Sequence, residues 1–206
     1  MNSIQSFLAI ALLGALPLTA KAESQFITTT TTPATTSAKL DFQIEIPRIL
    51  FLRVGAGANN TNNTNTDLIA FNVNPANVGN SSVVAATAGS GDLGNGAVTA
   101  KVVGNNGTIS FTSTTAGPLQ NGAGDSISHN QIVATVSALN SAIALAHPAL
   151  ADAATTTILL TPTTGKLIDR DAAWTFSYLN QNVVAPGTYG GVNTNNGRVT
   201  YTTSMP

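Results

Sequence analysis

The sequence predicts an all-β protein folded as a sandwich, and three observations carry that expectation. Of 206 residues 43% are hydrophobic and only 8% charged, with 30 threonines, 21 asparagines and 18 glycines, so neutral hydrogen-bonding groups rather than ions keep the chain in water. Thr and Val favour pleated, half-buried surfaces, while Asn and Gly supply tight turns. Short apolar runs recur along the chain between Gly and Asn clusters, the spacing of a sandwich. Eight Lys and Arg against nine acids form no basic patch, which excludes electrostatic binding of nucleic acid. The absence of cysteine means that a hydrophobic core, not a disulfide framework, must hold the fold.

Taken in order, Phe7 to Leu18 is an apolar run of twelve followed by the small-x-small pattern Ala20-Lys21-Ala22. Residues 1–22 are therefore expected to be a secretory signal, too short for a membrane span of about 20 apolar residues. No later run is long enough to span a membrane, so no membrane span is expected. Residues 23–47 are expected to form an N-terminal arm. Its first part, with the tract Thr28 to Thr32, is low-complexity and extended. Its second part alternates Leu40, Phe42, Ile44 and Ile46 with Lys39, Asp41, Gln43 and Glu45, the strongest strand signal in the chain. Pro47 cannot donate to a ladder and separates this run from the next, Ile49 to Val54.

Residues 48–206 are expected to be a single sandwich domain. Gly55 to Asp67 is a loop by composition, and Leu68 to Val73 resumes a short strand. Further strands are expected over Val98–Val103, Thr108–Ser113, Ile132–Val136, Thr156–Leu160, Ala173–Leu179 and Arg198–Thr203. The Asn-Gly pairs within Gly104–Gly107 and Asn195–Gly197 predict hairpin turns. Ala138 to Leu150 suits a helical turn and a buried strand equally. Trp174, Phe176 and Tyr178 share one strand face, as do Val199, Tyr201 and Thr203, and both sets are core-face candidates.

Motifs for catalysis or cofactors are weak. Gly89 to Gly94 spells G-x-G-x-x-G, but a turn and a strand follow where a dinucleotide site needs a helix N-terminus. His129 and His147 lack the cysteines that would complete a zinc set and read as surface or packing histidines. Asp169 and Asp171 flank Arg170; two acids so spaced suit a cation or glycoside chemistry, though an exposed turn with a local ion pair explains them more simply. No nucleophile has a base at recognisable spacing, so no enzymatic activity, cofactor or metal is expected.

The alternating segment Leu40, Phe42, Ile44, Ile46 ending at Pro47, and the segment Gly187, Tyr189, Gly191 ahead of an alternating last strand, together resemble a fimbrial subunit. The likeness is to the cysteine-free alternate (alpha) class of chaperone–usher pilins, in which an N-terminal alternating strand runs into a proline and a G-x-Y-x-G segment precedes the terminal strand. It covers the two ends of the chain, the middle agreeing only in composition. The resemblance implies an immunoglobulin-like, pilin-type sandwich that is incomplete and is completed by a donor strand from a neighbouring copy or related subunit. It implies Leu40, Phe42, Ile44 and Ile46 as the donor face and Val199, Tyr201 and Thr203 on the strand bordering the acceptor groove. It further implies a periplasmic chaperone and an outer-membrane usher as partners, passage through the periplasm, and a place in a surface fimbrium serving adhesion or biofilm. The competing expectation is a stand-alone secreted β-sandwich that binds carbohydrate or other surface ligands.

Overall fold

The computed structural model describes residues 23–206; the secretory signal expected over residues 1–22 lies outside them. The chain divides after Ile46 into an arm and a body, Pro47–Pro206. The arm carries no strand over residues 23–46, and all of these residues are exposed. Alternation states which face of a segment is to be buried; a ladder also needs a partner for each N–H and C=O, which the sequence does not name. Within the arm, Thr36 Oγ1 donates to Gln25 O at 3.0 Å and Ser37 N to Gln25 Oε1 at 3.2 Å.

The body is nearly all β, with ten strands: β1 (Leu50–Val54), β2 (Val84–Ala85), β3 (Ala97–Gly104), β4 (Ile109–Thr115), β5 (Leu119–Gln120), β6 (Ser126–Ile127), β7 (Ile132–Ser137), β8 (Thr155–Leu160), β9 (Ile168–Tyr178) and β10 (Val199–Ser204). All ladders are antiparallel. In the larger sheet β1 pairs β3, β3 and β2 share one edge of β9, and β7 takes the other. The smaller sheet runs β10-β4-β8, and β5 with β6 forms a short ribbon. Period-two burial packs the sheets face to face as a sandwich. Val98, Ala100 and Val102 of β3 and Ala172, Trp174 and Phe176 of β9 meet Ile109 and Phe111 of β4 and Leu160 of β8. Trp174 stacks on Phe111 across the sheets at 5.9 Å. The expected core face of Trp174, Phe176 and Tyr178 is buried throughout.

Several local expectations are corrected. Leu68–Val73 is no strand; it contributes one bridge, Phe71 to Ala86. Gly104–Gly107 is not a hairpin turn but an arch between sheets, since β3 and β4 lie in different ones. Its asparagines work through their side chains, as described below. Asn193, Asn195 and Asn196 do take positive φ, yet the turn packs on β5 through Gln120 N to Asn195 O at 3.0 Å, and β10 pairs β4 instead. Gly197 is required there, because a Cβ would lie 2.3 Å from Gly191 N. Asp169 to Asp171 is no exposed turn. It lies within β9, where Lys101 pairs Asp169 at 2.9 Å and Asp171 is buried.

Ala138–Leu150 is neither helix nor strand. It leaves β7 and runs as irregular chain between the two sheets on its way to β8, burying Leu145, Pro148 and Leu150. Irregular backbone inside a core needs partners for its carbonyls. Trp174 Nε1 donates to Leu145 O at 2.7 Å, Ser113 Oγ to Ala149 O at 3.2 Å, Thr156 Oγ1 also to Ala149 O, and Thr115 Oγ1 to Ala151 O. The turn before this segment is fixed by Asp171, which accepts from Asn140 N at 2.9 Å and Ser141 N at 2.8 Å. Burial alone would raise the Asp171 pKa, but these hydrogen bonds outweigh it and hold the carboxyl at about 2.

Candidate functional site

The outer edges of β1 and β10 form the candidate site. Each strand has a single ladder partner, β3 for β1 and β4 for β10, and the two come together as the last strands of their sheets on one side of the sandwich. Register fixes which residues point inward. Leu50, Leu52 and Val54 sit opposite Gly104, Val102 and Ala100, all buried on β3. Val199, Tyr201 and Thr203 sit opposite Thr115, Ser113 and Phe111, all buried on β4. The inner strands are sealed, whereas the inward residues of both edge strands are only half-buried and Leu50 is 40% exposed. The inward positions carry no charge; Arg53 of β1 points outward and pairs Asp92 at 3.0 Å.

One end of this side is fastened by the arch between β3 and β4. Asn105 Oδ1 accepts from Ile49 N at 2.9 Å, and Asn105 Nδ2 donates to Pro47 O at 2.8 Å. Asn106 Nδ2 donates to Pro206 O at 2.5 Å. Two neighbouring asparagines thus hold the start of β1 and the chain beyond β10. Deeper in, Tyr201 OH pairs with His147 Nε2 at 2.7 Å, and the His147 ring lies edge-on to Trp174 at 4.7 Å. Burial lowers the His147 pKa to about 4 and pushes the Tyr201 hydroxyl well above its ordinary value.

The donor-face candidates lie on the arm, with Leu40, Phe42, Ile44 and Ile46 exposed by 67%, 86%, 84% and 77%. Val199, Tyr201 and Thr203 lie together on β10 with the inward parity that alternation indicated. Leu50, Leu52, Val54 and Asn105 escaped the sequence reading. A signal existed for the first three: the even-numbered alternation of Leu40 to Ile46 resumes at Leu50 beyond the Pro47 joint.

The other motifs stay apart from this side. Gly89, Gly91 and Gly94 all take positive φ in a loop, with Leu93 N donating to Ala97 O at 3.1 Å and β3 following directly. His129 is buried, its backbone N–H donating to Asp152 Oδ1 at 2.7 Å. Among the described residues no three His, Asp or Glu side chains are grouped so as to hold a metal ion, and no helix is long and apolar enough to cross a membrane. No protein-family model, curated protein or solved structure matches the chain.

Proposed function

We propose that this chain is a structural subunit of a cell-surface fibre and not an enzyme. It is exported, held by a periplasmic chaperone, passed through an outer-membrane usher and assembled head to tail. In this reading the body is an immunoglobulin-like sandwich of pilin type, and its β1/β10 side accepts Leu40 to Ile46 of a neighbouring copy. One observation supports the reading most: the same chain carries alternating exposed apolar residues on an arm without regular structure and, on its body, two strand edges whose inward residues are half-covered.

An added strand satisfies the ladder groups of a free edge, and its alternate side chains fill the space behind it. Donor and acceptor are different surfaces of one chain, so the contact is heterologous and generates a filament rather than a closed dimer. Each large apolar side chain buried contributes about 1.5–3 kcal/mol. Because β1 and β10 already touch along part of their length, a strand added to β10 must part them there.

The test is a pair of substitutions on opposite faces of the arm. Phe42→Asp puts an unpaired carboxylate into an apolar site at a cost of several kcal/mol, while Gln43→Asp faces away. Phe42→Asp is expected to leave a folded, exported subunit that forms no fibre, and Gln43→Asp to assemble normally. Periplasmic accumulation is measured alongside surface fibres. Degradation of Phe42→Asp in the presence of chaperone would mean that the segment belongs to its own subunit's core, and the reading would fall.

A further inference from the structure

The two outer faces of the sandwich differ in charge. Outward positions of β1, β3 and β9 carry Arg53, Lys101 and Asp169, with Asp171 beside them buried under the Asn140–Ser141 turn. The outward face of β10, β4 and β8 is a three-by-three array without any charge. Its central row is Thr202, Thr112 and Thr157, and its two flanking rows hold only Ser and Thr apart from Leu159 at one corner, 66% exposed. Exposed sheets ordinarily keep charges outward to prevent association. This one carries none, although the chain has eight Lys and Arg and nine Asp and Glu to place.

We propose that this face is a lateral contact between copies of this chain, through which fibres lie side by side. The inference rests on the fibre reading above. A second copy of the same face is the occupant that the chemistry fits best. A hydroxyl can donate one hydrogen bond and accept others, and Thr114 Oγ1 and Thr155 Oγ1 already share one at 2.8 Å, so the array can complement itself. Bringing two such faces together strips water from no ion, and a two-fold axis through Thr112 superposes the central row on itself, Thr202 meeting Thr157 of the second copy. From strand spacing and rise the array measures roughly 14 Å by 20 Å, or about 300 Å² per copy. A stable interface buries about 800 Å² per partner, so isolated subunits do not pair through this face. A fibre repeats the face along its length, and many weak contacts made together give the avidity that one lacks.

The experiment uses the full chain assembled into fibres, wild type beside Thr112→Lys and Thr112→Glu, with thermal melting to check the fold and electron microscopy to count single and paired fibres. Wild-type fibres are expected to pair side by side, and each variant to form single fibres of normal length. Mixing Lys-variant with Glu-variant fibres should restore pairing, and added salt should abolish that restored pairing. Should the Thr112 variants fail to assemble, Thr202→Lys mixed with Thr157→Glu makes the same test across the two-fold. Unpaired wild-type fibres, or variants that pair like wild type, overturn the inference and leave the fibre reading standing. Variant fibres that remain single on mixing also overturn it, the face then serving another partner such as a polysaccharide. Absence of any wild-type fibre overturns the fibre reading itself.

Discussion

On the β7/β8 side of the sandwich, the crossing from Ala138 to Ala154 turns inward and fills the space between the sheets, while on the β1/β10 side the inward residues stay half-covered. The closed side is polar where backbone demands it. Ser113, Thr115, Thr156 and Trp174 point into the core and donate to the carbonyls of the crossing chain. The half-covered side needs no such groups, because its inward residues lie on regular strands whose carbonyls are directed along the sheet, not into the core. The difference teaches that a core can be filled by irregular chain only where hydrogen-bond donors are built in beside it, and by a strand only where an edge is free.

Breaking the closed side should cost most. Trp174 is fully buried, stacks on Phe111 and holds Leu145 through its indole N–H. Trp174→Ala removes all three contributions and should destabilise the protein by about 3–5 kcal/mol. Denaturant unfolding of the monomer measures it. If the midpoint falls only slightly, the crossing segment is not a structural part of the core.

Acidification probes the same side more gently. The folded His147 pKa of about 4 lies below the ordinary value of 6.5, so the unfolded chain takes up a proton that the folded one refuses. Stability is then complete above about pH 6.5 and is lost as pH falls towards 4, by about 3 kcal/mol in all. Asp171 acts below that window. Its folded pKa of about 2 lies below the usual carboxylate value of about 3.9, and its contribution disappears as pH falls from about 4 to 2. Melting temperatures between pH 7 and 4 should therefore fall more steeply in the wild type than in His147→Gln, and equal slopes would remove the ring from the account.

Much of the sandwich was legible in the sequence, for a definite reason. Val98–Val103 was legible as a strand, and Trp174, Phe176 and Tyr178 announce their buried face by alternation alone, because a residue's side of a strand depends only on its own position. Partners are not legible in that way. Gly104 to Gly107 has the composition of a hairpin turn, yet the chain crosses to the other sheet, and Asn105 and Asn106 serve as clamps rather than turn residues. Asp171 looks like a turn acid until Asn140 and Ser141 are brought to it from thirty residues away. The candidate site was half legible: the inward parity of Val199, Tyr201 and Thr203 could be read, but not the half-exposure shared with β1. Exposure depends on what the opposite sheet leaves uncovered, and no local pattern encodes that.

The smallest effect expected in the isolated subunit sharpens the comparison most. Leu50 faces inward on β1 but is 40% exposed, so Leu50→Ala in the monomer forfeits only part of a buried leucine, about 1 kcal/mol. Under the proposed assembly the same substitution in a fibre would remove a side chain that the neighbour's strand covers, and its cost would rise towards about 2 kcal/mol or more, that of a sealed leucine. Monomer is obtained in the Phe42→Asp background and fibre in the wild-type arm, and the loss caused by Leu50→Ala is read by the denaturant midpoint for complete unfolding in both. A leucine on the closed side, Leu145, serves as the control, since it is buried in both states and should lose the same amount in each. If Leu50→Ala costs no more in the fibre than in the monomer, the half-covered side is not where the neighbour's strand lies.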